Sequence, residues 1–269
     1  MTLIRALLVA LLLAIASSTA AAASFSTDQS DLWWADPPGS ENGWGFQLVQ
    51  RNSTIFITMF VYGPVGTPTW YVATMAPTGA SFQWSGDLFA TTGPWFGAVP
   101  YNPALVALRK VGTVTWTSTS VVAGILQYAV DGVQVTKNAT RQTLVAENYN
   151  GHFGAVFHEV VSGCANVSFD NTAEGTGVLN IAQNGSAVAM TFSNTNGATC
   201  TYNGTLGQFG QMGSIVTSYA CSNGAAGTYQ LFEIQVTEFN ITARFASTST
   251  VATGCQSTGW LSGSTVTTF

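Results

Sequence analysis

Between positions 33 and 72 the chain reads Trp33-Trp34, then Ser40-Glu41-Asn42-Gly43-Trp44-Gly45. It continues through Thr54-Ile55-Phe56-Ile57-Thr58-Met59-Phe60-Val61-Tyr62 and Thr67-Pro68-Thr69-Trp70-Tyr71-Val72. Each apolar piece is built from β-branched and aromatic residues, and Gly, Pro and Asn separate the pieces, which is how short strands joined by turns are written. The stretch predicts the first three strands of an antiparallel β-structure. In the third piece Ile55, Ile57, Met59 and Val61 fall on one face, and Phe56, Phe60 and Tyr62 on the other. A strand apolar on both sides is expected to be covered on both sides. The other half of the chain is the expected cover; left bare, Thr54 to Tyr62 would be a surface for self-association.

The same grammar runs outward to the C-terminus. Helical periodicity is almost absent, and alternating runs such as Phe239-Asn240-Ile241-Thr242-Ala243-Arg244-Phe245 recur with turn residues every ten or so positions. Asp131-Gly132 and Asn184-Gly185 each lie between strand-like runs and predict two-residue hairpins. Sequential hairpins make a meander. An internal repeat is expected, with Asn42-Gly43-Trp44-Gly45-Phe46 matched to Asn150-Gly151-His152-Phe153-Gly154. The expected fold is therefore all-β: two tandem antiparallel meander barrels of lipocalin or avidin size, a Trp-rich domain over residues 24–146 and a cysteine-containing one over 147–269.

Address and redox state follow from the ends and the cysteines. One charge at Arg5, the apolar run Ala6 to Ala16 and the small residues Ala20 to Ala23 form the pattern of a cleaved signal peptide over residues 1–23. That predicts a secreted protein, periplasmic or extracellular. Behind such a leader, four cysteines read as two disulfides. If a hairpin turns near Gly210-Gln211, Cys200 faces Cys221 across antiparallel strands, which leaves Cys164 to join Cys255. Charged residues are only 7% of the chain and the net charge is −5. No basic stripe exists to meet nucleic acid.

Three groups of residues could carry chemistry. The aromatic group comprises Trp33, Trp34, Trp44, Trp70, Tyr71, Trp95 and Phe96, whose flat faces suit a carbohydrate or a small apolar ligand, or else fill a core. Among carboxylates, Asp36 and Glu41 flank Pro37-Pro38, with Asp87 further on; a pair of these could hydrolyse a glycan, although turn capping is the simpler role. His152 and His158 stand six apart, which puts them about 20 Å apart on a strand, too far for one metal. No nucleophile elbow, phosphate loop or dinucleotide fingerprint occurs, so no cofactor or metal is expected. An outer-membrane barrel ending at Phe269 is a further alternative, but Ser264, Thr265 and Thr267 interrupt its lipid face.

The residues Trp34 to Gly45, Phe60 to Val72, Gly86-Asp87-Leu88 and Thr92 to Gly97, with Cys200 to Gly204 and Tyr219 to Gly224, carry a resemblance. In them the chain resembles a largely uncharacterised group of secreted bacterial Trp- and Gly-rich β-proteins with a Gly-Trp-Gly…Pro-Thr-Trp-Tyr-Val pattern. Asp36-Pro37-Pro38-Gly39 departs from the shorter Asn-Pro form of that group. The resemblance covers most of the chain and implies export, but it brings no catalytic role. Binding without catalysis is the expected function, with structural self-assembly at an envelope surface as its rival.

Overall fold

A computed structural model describes residues 27–266. The expected leader and the terminal Phe269 lie outside the described residues. Strands β1 (Asp31–Ala35), β2 (Gly45–Arg51), β3 (Thr54–Tyr62), β4 (Pro68–Pro77), β5 (Gln83–Thr92), β6 (Ala107–Ser118), β7 (Ala123–Val130) and β8 (Val133–Arg141) close into one barrel. A second closed barrel is formed by β9 (Gly151–Ser162), β10 (Asn171–Asn184), β11 (Ala187–Asn194), β12 (Thr199–Phe209), β13 (Met212–Cys221), β14 (Ala226–Val236), β15 (Asn240–Ser249) and β16 (Gln256–Thr265). Sequence neighbours are neighbours in space, and each meander closes first strand against last, β1 on β8 and β9 on β16. The protein is thus all-β, with two eight-stranded antiparallel barrels in tandem.

Local chemistry explains the turns. Asp131 and Gly132 have φ of 49° and 88° and join Val130 to Val133 directly, the two left-handed positions that a type I′ hairpin requires. The second expected turn is shifted by one residue. Asn184 pairs with Ala187, so the loop is Gly185-Ser186, with glycine in the first position at φ 60°. The expected repeat is also out of phase. Asn42 to Phe46 leads into β2, the second strand of its barrel, whereas Asn150 to Gly154 leads into β9, the first strand of the other.

The first barrel is filled from wall to wall. Trp33, Phe46 and Trp116 meet in its lumen, with Trp33 and Trp116 edge-on at 4.7 Å and Trp33 and Phe46 stacked at 6.2 Å. Gly124 makes this possible, since a Cβ there would stand 2.2 Å from the Trp116 ring. Gln29 seals the base. Its backbone carbonyl accepts from Trp33 Nε1 at 3.0 Å and its side-chain oxygen accepts from Trp116 Nε1 at 3.1 Å, so both buried indoles are satisfied. The second barrel has a core of Phe153, Leu179, Ile181, Ile215, Leu231 and Ile241, and Tyr149 seals its base just before β9.

The two sealed bases meet. Arg141, at the end of β8, is buried and pairs with Asp31 at 3.0 Å, and it also donates to the carbonyls of Asp28, Ser30 and Val121. The β12–β13 turn docks on this group: Gln211 donates its backbone N–H to Asp31 at 3.1 Å and its side-chain amide to the Ser30 carbonyl. Glu233 reaches back to accept from the Thr27 hydroxyl at 2.7 Å.

The expectation for β3 is half right. Ile55, Ile57 and Met59 are fully buried in the lumen, but the second barrel does not cover the other face. Phe56, Phe60 and Tyr62 remain exposed, because the two barrels meet end to end and not side to side.

Candidate binding site

The strand period decides where each aromatic residue of the first barrel goes. Trp33 points inward and is only 1% exposed, its N–H already used, so it is a core residue. Its neighbour Trp34 points to the outer wall, where its buried Nε1 has no partner. Trp70 is paired with Phe60 on the outside and is half exposed. Trp44 and Tyr71 lie at the upper rim of the lumen, half-buried against the core. Trp44 donates to the Tyr128 hydroxyl at 3.0 Å and packs edge-on to Phe46 at 5.6 Å. Burial pushes the Tyr128 phenol up from its ordinary value. Trp95 and Phe96, 69% and 90% exposed, project from the long β5–β6 loop with their rings 5.5 Å apart. The seven aromatics therefore occupy four environments and do not converge on one pocket.

The acidic residues of the first barrel are placed as follows. Glu41 is held by Lys137 on the rim, and Asp87 by Lys110 at 2.7 Å on the outer wall. Asp36 is exposed in the β1–β2 loop. On the second barrel His152 and His158 share the outer face of β9; His152 contacts Asn180, and His158 lies 3.2 Å from Glu174. Among the described residues no group of His, Cys, Asp and Glu could hold a metal ion.

A cavity of about 270 Å³ opens instead in the mouth of the second barrel, at the end away from the first. Its floor is apolar: Leu179, Met190, Leu231, Phe245 and Leu261. Tyr202, Tyr219 and Tyr229 form one wall, with ring centroids 4.9 to 6.2 Å apart, and Phe157 packs edge-on to Phe192 on the other side. Asn194, Asn196 and Asn223 stand at the rim. The lumen is open here because its rings lie along the wall. Tyr219 lies over Gly227 and Phe245 over Gly259, where a Cβ would come within 2.9 Å and 2.4 Å of those rings.

Two disulfides frame the opening, both at this end. Cys200 and Cys221 are directly opposite, with Cα atoms 3.9 Å apart. The adjacent bond from Ser222 N–H to the Thr199 carbonyl makes them a non-hydrogen-bonded pair, where side chains approach most closely. Cys164 bonds to Cys255 across the loops that follow β9 and precede β16. Such bridges fit an oxidising compartment.

The electrostatics of the mouth are one-sided. Glu159 continues the inward series of Phe153, Ala155 and Phe157 along β9, and it is the one carboxylate lining the cavity. Burial first, then neighbouring Tyr219 and Glu159, push the Tyr202 phenol up to about 12. Tyr229 is raised further by its deeper burial, and Tyr219 is raised as well. All three hydroxyls therefore stay protonated at neutral pH.

Sequence reasoning missed this site, because eight separate strands must be registered before its residues meet. One signal was present. Once Cys200 is paired with Cys221, the strand period puts Tyr202 opposite Tyr219 on the same face, two residues further in. No protein-family model matches the chain, and no curated protein is significantly similar to it.

Proposed function

We propose that this protein is an exported, non-catalytic binder of a small, largely apolar organic molecule held in the mouth of the second barrel. The cavity itself carries this reading: its volume of about 270 Å³ lies near the lower end of the roughly 300–1,000 Å³ typical of ligand pockets, and it combines an apolar floor with a few polar groups at the entrance, the usual make-up of such sites. A sugar fits less well, since the floor of five apolar side chains offers no partners for a ring of hydroxyls. Export, to periplasm or medium, rests on the two disulfides together with the leader pattern of the sequence.

The test is calorimetric titration of the mature protein with small aromatic and aliphatic compounds. Saturable one-to-one binding is expected, lost in Ala225→Trp, which fills the mouth, and kept in Trp44→Ala, which alters the first barrel. No saturable binding across the set, or loss in Trp44→Ala with retention in Ala225→Trp, would refute it.

A further inference from the structure

We infer that the second-barrel site selects a cationic ligand: a small molecule with an apolar or aromatic body and an ammonium head that pairs with Glu159. The inference rests on the cavity reading above and adds the charge of the occupant.

Three observations converge. First, Glu159 lines the cavity yet has no hydrogen-bond or ion-pair partner among the described residues, whereas Glu174 contacts His158 and Glu233 contacts Arg244 and Thr27. A carboxylate that faces an apolar lumen without a partner of its own is a ready counter-ion for an incoming cation. Second, among the described residues no cationic side chain lines the cavity. Of the six carboxylates in residues 147–269 only Glu159 lines the cavity, and the single basic residue there, Arg244, is tied at 3.1 Å to Glu233, which contacts Thr27 where the barrels meet. The field at the mouth is thus negative, which concentrates cations and repels anions such as fatty acids. Third, the wall beside Glu159 is made of tyrosine faces, whose negative quadrupole attracts a cation, and of neutral hydroxyls that can accept a bond from an ammonium N–H. The apolar floor then takes the body of the ligand. An anionic amphiphile of the same shape would place its charge against Glu159 with nothing to neutralise it.

The experiment compares three probes of one shape on the full mature protein: phenethylammonium, 2-phenylethanol and 3-phenylpropionate. Phenethylammonium should bind roughly 10–100 times more tightly than the alcohol, the usual scale for one charge-assisted contact, and the carboxylate most weakly. Glu159→Gln should abolish the preference, so that ammonium and alcohol bind the variant with equal affinity. Equal affinity for ammonium and alcohol, or a preference that survives Glu159→Gln, would overturn the inference and leave the cavity reading intact. If none of the three binds, both fall. Far-ultraviolet circular dichroism of the variant confirms that its barrel is formed; Glu159 is only partly buried, so its amide should fold.

Discussion

The two barrels share a topology and differ in what occupies the lumen. In the first, indole rings cross the interior and meet at 4.7 Å, and Gln29 satisfies their N–H groups from below. In the second, phenol and phenyl rings lie back against glycines in neighbouring strands, and the centre stays open. An eight-stranded barrel is close to the size at which side chains just fill it. Whether it becomes a core or a cup is then decided by ring size and by where glycine allows a ring to lie flat. Aromatic content alone is therefore a poor guide to a binding site: seven of the eight tryptophans belong to the barrel with the filled interior.

The largest effect should come from reducing the disulfides. Loss of loop-closure constraint is worth about 4.5 kcal/mol for the Cys164–Cys255 bridge and about 3 kcal/mol for Cys200–Cys221, given their separations of 91 and 21 residues. Urea unfolding followed by tryptophan fluorescence, which reports mainly the first barrel, should keep its midpoint under reductant. Far-ultraviolet circular dichroism should gain an earlier transition. If the fluorescence midpoint falls equally, the two barrels unfold as one unit.

Next come matched truncations. Leu126→Ala, in the filled lumen, should cost toward the upper end of the about 2–5 kcal/mol range for buried leucines, because a void opens with nothing to share it. Leu231→Ala, beneath the cavity, should cost toward the lower end, since it only enlarges a space that water already reaches. Equal losses in chemical denaturation would mean that the second lumen collapses in solution.

A further effect is confined to alkaline pH. A free tyrosine titrates near pH 10, whereas burial pushes Tyr149 and Tyr202 up to about 12. Their neutral forms are favoured in the folded state, so the stability they contribute is complete below about pH 10 and is lost as pH rises through about 12. The second barrel should therefore lose stability first in that window. Phenolate absorbance rising together with loss of its circular dichroism would show this; ionisation near pH 10 of all the tyrosines without unfolding would contradict it.

Much of the fold was legible because strand alternation is a local property. The lumen face of Thr54 to Tyr62, the Asp131-Gly132 turn and the pairing of Cys200 with Cys221 all follow from spacing within one or two hairpins. What was not legible is non-local. The bare outer face of β3 depends on the barrels meeting through Arg141, Asp31 and Gln211, residues whose sequence context gives no hint of an interface. The cavity likewise depends on Glu159, Tyr202, Tyr229 and Phe245 arriving at one level from four strands spread over some ninety positions. The Trp-rich opening drew attention because indoles are conspicuous, yet Trp33 is 1% exposed and Trp44 serves to brace Tyr128.

The position of the Cys164–Cys255 bridge has a consequence for the order of events during folding. Hairpins of a meander form from contacts close in sequence, and the seam between first and last strands must wait until the ends of the barrel are brought together. Until then the second barrel is an open sheet with two unpaired edges, each able to pair with another molecule. The bridge sits just beyond the Ser162–Gln256 pair that ends this seam, so the pairing of β9 with β16 brings its two sulfurs together. Oxidation of a closed barrel then acts as a ratchet: with the crosslink in place, breathing of the seam can no longer part the two edge strands at that end.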